Sequence, residues 1–187
     1  MRVLVACEFT GIVRSVFRAL GHDAWSCDLE ESEYEPQFHI MGDVLDVLDM
    51  KWDLMVAHPP CTYLCNAGVQ LLNTSARWEK MAAAADFFNR LHRADIGRIA
   101  IENPIPHRYA KTLIGDYTQL IQPWQFGHGE VKPTCLWLKG LPELKPTELC
   151  IGRKSASTNE TKKDRSKSRS RTFPGIAVAM AQQWGEA

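Results

Sequence analysis

A cysteine stands directly after a short apolar run that ends in two prolines. The run reads Trp52-Asp53-Leu54-Met55-Val56-Ala57-His58-Pro59-Pro60-Cys61. Proline lacks the N–H that a sheet ladder needs, so a strand formed by this run must end before Pro60. Open α/β sheets bind their ligands at the carboxyl ends of strands. Cys61 is therefore a candidate nucleophile, and the alternative is a small buried apolar side chain.

Polar groups also follow the other predicted strands. A glycine turn there could admit a ligand to a helix N-terminus, and an acid after a second strand is typical of a ribose site. Each group has a structural alternative, because tight turns often need glycine and acids cap helices or pair with arginines. The groups are Glu8-Phe9-Thr10-Gly11, Asp28, Gly42-Asp43-Val44 and Glu102-Asn103-Pro104.

Alternating strand and helix patterns position these groups. Apolar runs predict strands at 2–7, 23–27, 36–41, 53–57 and 98–101. Helices are predicted over 11–20 and over 74–93, the latter with Thr74 or Ser75 as N-cap. The first helix has an apolar face formed by Ile12, Val16, Phe17 and Leu20. This rhythm predicts an α/β fold with a mostly parallel sheet and helices on both faces.

The second half of the chain is less regular. Strands are predicted at 117–126 and 134–138, joined as an antiparallel hairpin by the Gly127-His128-Gly129 loop, where His128 is expected to be exposed. The polar stretch 154–171 predicts a mobile loop. Pro174 opens a last helix, whose apolar face is formed by Ile176, Ala177, Met180 and Ala181. Residues 1–187 are expected to form a single domain.

The composition is that of an ordinary globular domain. Lys and Arg number 22, as do Asp and Glu, so no overall basic charge points to nucleic acid. No apolar stretch is long enough to span a bilayer, and Glu8 interrupts the apolar N-terminus too early for a signal peptide. The cysteines are therefore expected to be reduced, without a structural zinc site, in a cytoplasmic protein.

In order and spacing, these motifs resemble those of the cytosine-C5 DNA methyltransferases. That family has a Phe-x-Gly turn, an acid after the second strand, a Gly-Asp pair, a Pro-Cys that carries the nucleophile, and a Glu-Asn. The corresponding residues here are Phe9-Thr10-Gly11, Asp28, Gly42-Asp43, Pro60-Cys61 and Glu102-Asn103. The segment 171–177 resembles the family's last motif. In its compactness the chain is similar to small methyltransferase-like proteins of phages and prophages.

The resemblance implies a Rossmann-like fold, S-adenosylmethionine as cofactor, and methylation of cytosine C5 in DNA or a cytosine nucleotide, in the cytoplasm of a bacterial or phage-infected host. The implied catalytic residues are Cys61, which adds to C6 of the base, and Glu102, which holds its N3 edge. The implied cofactor contacts are Glu8, Phe9, Thr10, Gly11, Asp28, Asp43, Val44 and Pro59. The implied substrate contacts are His58, Pro60, Asn103, Arg169 and Arg171.

Two features depart from that family. The family's Gln-x-Arg-x-Arg segment is not found, and Arg169-x-Arg171, which lies in a different place, is the nearest candidate for its role. Residues 142–173 form a short basic loop in place of a target-recognition domain, which leaves open a recognition partner protein, relaxed specificity or a free nucleotide substrate. Within it, residues 162–171 hold six basic residues and one acid, which could grip phosphate.

Two other functions stay open. His58-Pro59-Pro60-Cys61 also resembles the Asp/Asn-Pro-Pro-Tyr turn of amino-methyltransferases, which transfer a methyl group directly to an exocyclic nitrogen. The other possibility is a degenerate methyltransferase fold that binds nucleic acid or protein without catalysis.

Overall fold

The computed structural model describes residues 1–151, 154–155 and 171–186, and within them the main sheet has seven strands. The strands of the main sheet are β1 (Arg2–Ala6), β2 (Asp23–Asp28), β3 (His39–Met41), β4 (Leu54–Ala57), β5 (Arg98–Pro104), β6 (Gln119–Ile121) and β8 (Thr134–Lys139). Two further strands, β7 (Glu130–Val131) and β9 (Lys154–Ser155), form a separate sheet. The helices are α1 (Ile12–Ala19), α2 (Ser75–His92), α3 (Arg108–Ile114) and α4 (Pro174–Gly185).

The main sheet follows the order β3-β2-β1-β4-β5-β8-β6. The first five strands run parallel, and β8 runs antiparallel to both β5 and β6. This confirms the predicted α/β class, with its mostly parallel sheet and its antiparallel hairpin. The carboxyl ends of β1, β4 and β5 consequently meet at one edge of the sheet.

Each face of the sheet has its own core. One face packs under α2 and α3, where Phe88 and Ile114 join strand residues such as Met55. The other face packs under α1 and α4, where Phe17 and Trp184 join residues of the opposite strand face. A parallel sheet needs both covers because its side chains alternate between the two faces. No helix in the described ranges has the length and apolarity needed to cross a membrane.

The strand β5 is longer than predicted. It pairs with β8 as far as Pro104 opposite Thr134, so antiparallel partnership extends it past the apolar run. Glu102 and Asn103 therefore lie inside a strand, where their backbones are fixed by the ladder, and not in a turn after it.

Prolines shorten two other predicted strands. Pro36 opens a short 3-10 helix, so β3 begins only at His39. Pro123 does the same after β6, which ends at Ile121. The predicted loop over 154–171 overlaps β9, which pairs with β7, while residues 156–170 lie outside the described part of the chain.

The helices differ from the prediction in two places. The buried residues of α1 are Val13, Arg14 and Phe17, while Leu20 is exposed, because the helix turns an arginine toward the sheet. The helix α3 was not predicted, since its N-cap is a histidine, His107, outside the usual capping set. The boundaries of α2 and α4 are close to those predicted, and the four predicted apolar residues of α4 are buried.

Candidate active site

Two neighbouring strands bring polar side chains to the same edge of the sheet. Ala57 of β4 is level with Ala6 of β1 and with Ile101 of β5. His58 and Glu102 occupy the next positions and therefore stand side by side at this edge.

An ion pair joins His58 to Glu102. His58 Nδ1 lies 3.1 Å from Glu102 Oε2, and only 12% and 15% of the two side chains are exposed. Burial lowers the pKa of His58, but the contact with Glu102 and the charges of Glu102 and Glu8 outweigh it, so the pKa is raised. Burial raises the pKa of Glu102, but the contact with His58 outweighs it, so that pKa is lowered. Both shifts favour the charged forms of the two side chains, a carboxylate and an imidazolium.

Three buried polar atoms at the ends of β4 and β5 have no hydrogen-bond partner among the described residues. They are His58 Nε2, Glu102 Oε2, whose contact with His58 is an ion pair, and Asn103 Oδ1 on the next residue of β5. The other end of the Asn103 amide donates to the carbonyl of Pro104 at 2.6 Å. Because a buried polar atom without a partner is costly, the ends of these strands are a candidate place for polar ligand groups.

Glu8, a predicted cofactor contact, is turned onto the N-terminus of α1. Its carboxylate accepts from the N–H of Val13 at 2.7 Å, from the N–H of Arg14 at 3.3 Å and from the Thr10 hydroxyl at 3.4 Å. Thr10 in turn accepts from the N–H of Ile12 at 3.4 Å. Burial raises the pKa of Glu8, against the opposing charge of His58 and the helix N–H groups. The N–H groups at the N-terminus of α1 are therefore already hydrogen-bonded to side chains of the protein itself.

The space beside Gly11 is filled by Arg14. Gly11 has a φ of 71°, and a Cβ on it would lie 2.5 Å from Arg14 Nη2. The fully buried Arg14 guanidinium donates to Ser26 Oγ at 2.8 Å and to the carbonyl of Tyr34. Phe9 holds the same loop, since its carbonyl accepts from the N–H of Glu33 at 2.9 Å. The glycine turn and the loop between β2 and β3 are therefore locked together.

Asp28 and Asp43 end neighbouring strands and keep this side of the edge negative. Asp28 Oδ1 accepts from the N–H of Glu30 at 3.0 Å, and Asp43 Oδ1 accepts from the N–H of Leu45 at 2.9 Å. Asp43 thereby caps a short 3-10 helix, the structural alternative for this residue. Burial and then these two charges raise the pKa of Cys27 to about 11. These carboxylates are acceptors that suit hydroxyl or amine groups of a ligand.

Cys61 is partly exposed and forms a thiol pair with Cys65. The Cys61 carbonyl accepts from the N–H groups of Leu64 and Cys65, both at 3.0 Å, so the segment makes one helical turn and sets the two thiols on one side. The hydrogen bond to Cys65, then burial, raises the pKa of Cys61. The same bond lowers the pKa of Cys65 to about 6, helped by the N–H groups of Gly68 and Ala67. Both directions favour the shared proton on Cys61 in this arrangement.

The Cys61 loop is tied to the chain that follows β5. The N–H of Asn66 donates to the Ile105 carbonyl at 3.0 Å, and the N–H of His107 donates to the Leu64 carbonyl at 3.0 Å. A ring nitrogen of His107 also lies 2.9 Å from the carbonyl of Tyr63. The segments that carry Cys61 and Glu102 thus form one unit.

The segment before α4 lies beside the residues that follow β1. Arg171 Nη2 pairs with Glu33 at 2.7 Å, and the Arg171 carbonyl accepts from Lys132 Nζ at 3.3 Å. The N–H of Gly175 donates to His128 Nε2 at 2.9 Å, so His128 is half-buried and engaged, contrary to the prediction of an exposed loop histidine. Arg169 lies outside the described residues.

A small cavity of about 50 Å³ lies between the ends of β1 and β4. Its lining residues include Cys7, Thr10, His58 and Thr172. Ligand sites usually measure about 300–1,000 Å³, so this cleft is closed in the present conformation. Of the remaining predicted contacts, Val44 and Pro59 are buried and Pro60 is exposed.

Comparison with solved structures identifies the fold. One similar structure is described as a DNA modification methyltransferase encoded within a prophage, from E. coli, with a TM-score of 0.51 and 14% identity over 80% of this chain and 52% of that one. Another is the Entamoeba histolytica methyltransferase EhMeth, with a TM-score of 0.52 and 13% identity over 80% of this chain and 57% of that one. The chain has the methyltransferase fold. It spans about half the length of these structures, and no protein-family model or curated protein matches it.

Within the methyltransferase fold, the sequence analysis missed Arg14 and the thiol partner role of Cys65. An arginine three residues after Gly11 was the available signal for the first. The one-turn spacing of Cys61 and Cys65 was the signal for the second. No group of His, Cys, Asp and Glu side chains in the described residues could hold a metal ion.

Proposed function

We propose that this chain transfers a methyl group from S-adenosylmethionine to C5 of cytosine, in DNA or in a cytosine nucleotide, through a covalent adduct with Cys61. The observation that carries the proposal is the unit formed by the Cys61 loop and the end of β5. That unit holds the buried His58–Glu102 pair and, on the next residue of β5, Asn103 Oδ1, which has no hydrogen-bond partner among the described residues. The resemblance of the motifs to the cytosine-C5 methyltransferases and the fold of the chain both support it.

The acceptors at the neighbouring strand ends fit the cofactor in kind. Asp28 and Asp43 would hold its hydroxyl and amine donors, and the negative charge of this edge suits a sulfonium. Bound there, S-adenosylmethionine supplies an electrophilic methyl group. Because the cleft encloses only about 50 Å³, the loop tied down by Arg14 and Glu33 must move to admit it.

Each of the protein residues then has its own role in the reaction of the base. The Cys61 thiolate would form a bond to C6, and the electron pair of the C5–C6 double bond would move toward N3, where a proton neutralises it. C5 would then take up the methyl group and lose its own proton to solvent, and the bond between C6 and the Cys61 sulfur would break, which restores the double bond and the thiolate. Glu102 holds the N3 edge and the exocyclic amine. Because the contact with His58 lowers the pKa of Glu102, we assign the source of the N3 proton to His58, which lies 3.1 Å from Glu102. The proton of the Cys61 thiol must pass to Cys65 before the adduct forms.

A second candidate is a binding module that has lost catalysis. The raised pKa of Cys61 and the closed cleft favour it, because both oppose the proposed reaction. This candidate requires neither a reactive Cys61 nor binding of S-adenosylmethionine.

The test is transfer of labelled methyl groups to duplex DNA, single-stranded DNA and dCMP. Wild type, Cys61→Ser, Cys65→Ser and the control Cys150→Ser, a free cysteine that the proposal does not use, are compared. We expect label on cytosine C5 with wild type and Cys150→Ser, reduced or altered pH dependence with Cys65→Ser, and none with Cys61→Ser.

Three results would contradict the proposal. Label that survives in Cys61→Ser but not in Cys65→Ser would make Cys65 the nucleophile. Label on the exocyclic nitrogen that survives Cys61→Ser would indicate an amino-methyltransferase. No transfer, together with no cofactor binding by calorimetry, would leave the binding module.

A further inference from the structure

A second, larger concavity begins where the candidate active site ends. It is an open groove of about 520 Å³ between the residues that follow the Cys61 loop, the start of α2 and the start of α3. Asn66, Trp78, Arg108 and Tyr109 are among its lining residues. None of these residues takes part in the chemistry proposed above.

The walls of the groove continue the two segments of the site. One wall starts at Asn66, directly after Cys65, and the other starts at His107, five residues after Glu102. The hydrogen bond from the N–H of Asn66 to the Ile105 carbonyl holds the two walls together at the site end. A polymer whose target base lies between Cys61 and Glu102 would therefore meet this groove with its adjoining units.

The groove displays aromatic rings and a cation. Trp78 is 38% exposed, and its ring meets that of Tyr109 edge-on at 4.9 Å. The exposed Arg108 guanidinium lies 4.5 Å from the centre of the Tyr109 ring. Unpaired bases stack on such rings, and arginine or lysine at their rim binds the phosphates between them.

We propose that this groove binds the nucleotides that flank the target cytosine on an unpaired strand of nucleic acid. The inference rests on the proposed function for the position of the target base. Trp78 stacks with a flanking base, Tyr109 supports the Trp78 ring through their edge contact, and Arg108 contacts the adjoining phosphate. A paired base would hide its face inside the duplex, so the groove selects single strands.

The test measures binding of short labelled oligonucleotides by fluorescence anisotropy, without cofactor. The probes are single-stranded DNA and RNA with one cytosine, the same DNA as a duplex, and dCMP in competition. The variants are Trp78→Ala, Trp78→Phe and Arg108→Ala, with the exposed α2 arginine of Arg90→Ala as matched control. Thermal melting establishes that each variant is folded.

We expect wild type to bind a single strand more tightly than the duplex. Trp78→Ala should weaken that binding about tenfold, Trp78→Phe should largely restore it, and Arg108→Ala should weaken it and reduce its salt dependence. Arg90→Ala should bind as wild type does. The dissociation constant of dCMP obtained from the competition should be the same in all variants. The more tightly bound of the DNA and RNA probes identifies the natural strand.

The proposal fails if Trp78→Ala and Arg108→Ala bind single strands as wild type does, or if wild type prefers the duplex. It also fails if Arg90→Ala weakens binding equally. A weaker affinity for dCMP in Trp78→Ala would contradict it too, because the groove would then not be a flanking site. Because binding is read without methyl transfer, a failure of the proposed function leaves this test intact.

Discussion

The chemistry of the site depends on the proton balance between a few buried groups. The contact with Glu102 and the charges of Glu102 and Glu8 outweigh burial and raise the pKa of His58. The hydrogen bond between Cys61 and Cys65 raises the pKa of Cys61 and lowers that of Cys65, and the backbone N–H groups after Cys65 add to the second shift. The proposed reaction therefore requires the proton of Cys61 to move first.

The His58–Glu102 pair should make stability depend on pH. The pKa of Glu102 is lowered from 4.5, so its contribution is present above about pH 4.5 and is lost as the pH falls through the folded-state pKa. The pKa of His58 is raised from 6.5, so its contribution is present below about pH 6.5 and is lost as the pH rises through the folded-state pKa. The ion pair is therefore fully present between these two values.

We expect His58→Ala to lower the free energy of unfolding by about 3 kcal/mol near the middle of that window, because it leaves Glu102 buried without its cation. The loss should be clearly smaller well above the window, where the pair no longer exists in the wild type. Urea unfolding across the pH range measures the difference. His92→Ala is the control, since burial lowers the pKa of His92; a loss independent of pH with His58→Ala would contradict the ion-pair assignment.

At two glycines, neighbouring segments pack so closely beside the site that no side chain would fit. Gly68 lies against the Cys61 loop, where a Cβ would come within 2.0 Å of the Thr62 carbonyl oxygen. Gly175, in the first turn of α4, lies against the backbone of Phe126, where a Cβ would come within 1.8 Å of the carbonyl oxygen. The second contact fixes where α4 starts, and therefore where Arg171 and Thr172 meet the edge of the sheet.

Gly175→Ala should consequently displace the start of α4. Because the obstacle is backbone and not a flexible side chain, we expect a loss of about 1–3 kcal/mol in the free energy of unfolding. Gly97→Ala is the control, since nothing lies within 4 Å of its added Cβ, and it should change stability by less than about 0.5 kcal/mol. Chemical denaturation compares the two variants, and equal effects would show that the close contact at Gly175 is unimportant.

Over the whole molecule, the sequence predicted what local patterns encode. Continuous apolar runs such as 54–57 indicate strands buried on both faces, and this signal placed the parallel strands and the edge where the site residues collect. Long-range partnerships were not predictable from spacing. Arg171 reads as a phosphate ligand in the sequence, yet it pairs with Glu33, 138 residues away. Arg14 reads as a polar helix residue, yet the loop between β2 and β3 folds over it.

The two layers of helices should contribute unequally to stability, and their tryptophans can measure this. Trp184 of α4 is fully buried in the core that covers one face of the sheet, and its indole N–H donates to the Pro142 carbonyl at 2.9 Å. Removing it leaves a large cavity and an unpaired carbonyl, so Trp184→Ala should cost about 3–5 kcal/mol.

Trp78 of α2 is the matched comparison. It is partly exposed in the groove and contacts Tyr109 at its edge, so Trp78→Ala should cost less than about 1.5 kcal/mol. Denaturant unfolding of both variants, followed by circular dichroism, measures the difference. A similar loss in both would mean that Trp78 is a structural residue joining α2 to α3. A small loss at Trp78 leaves its ring available to a base, because a side chain that the fold does not require can be retained for a ligand.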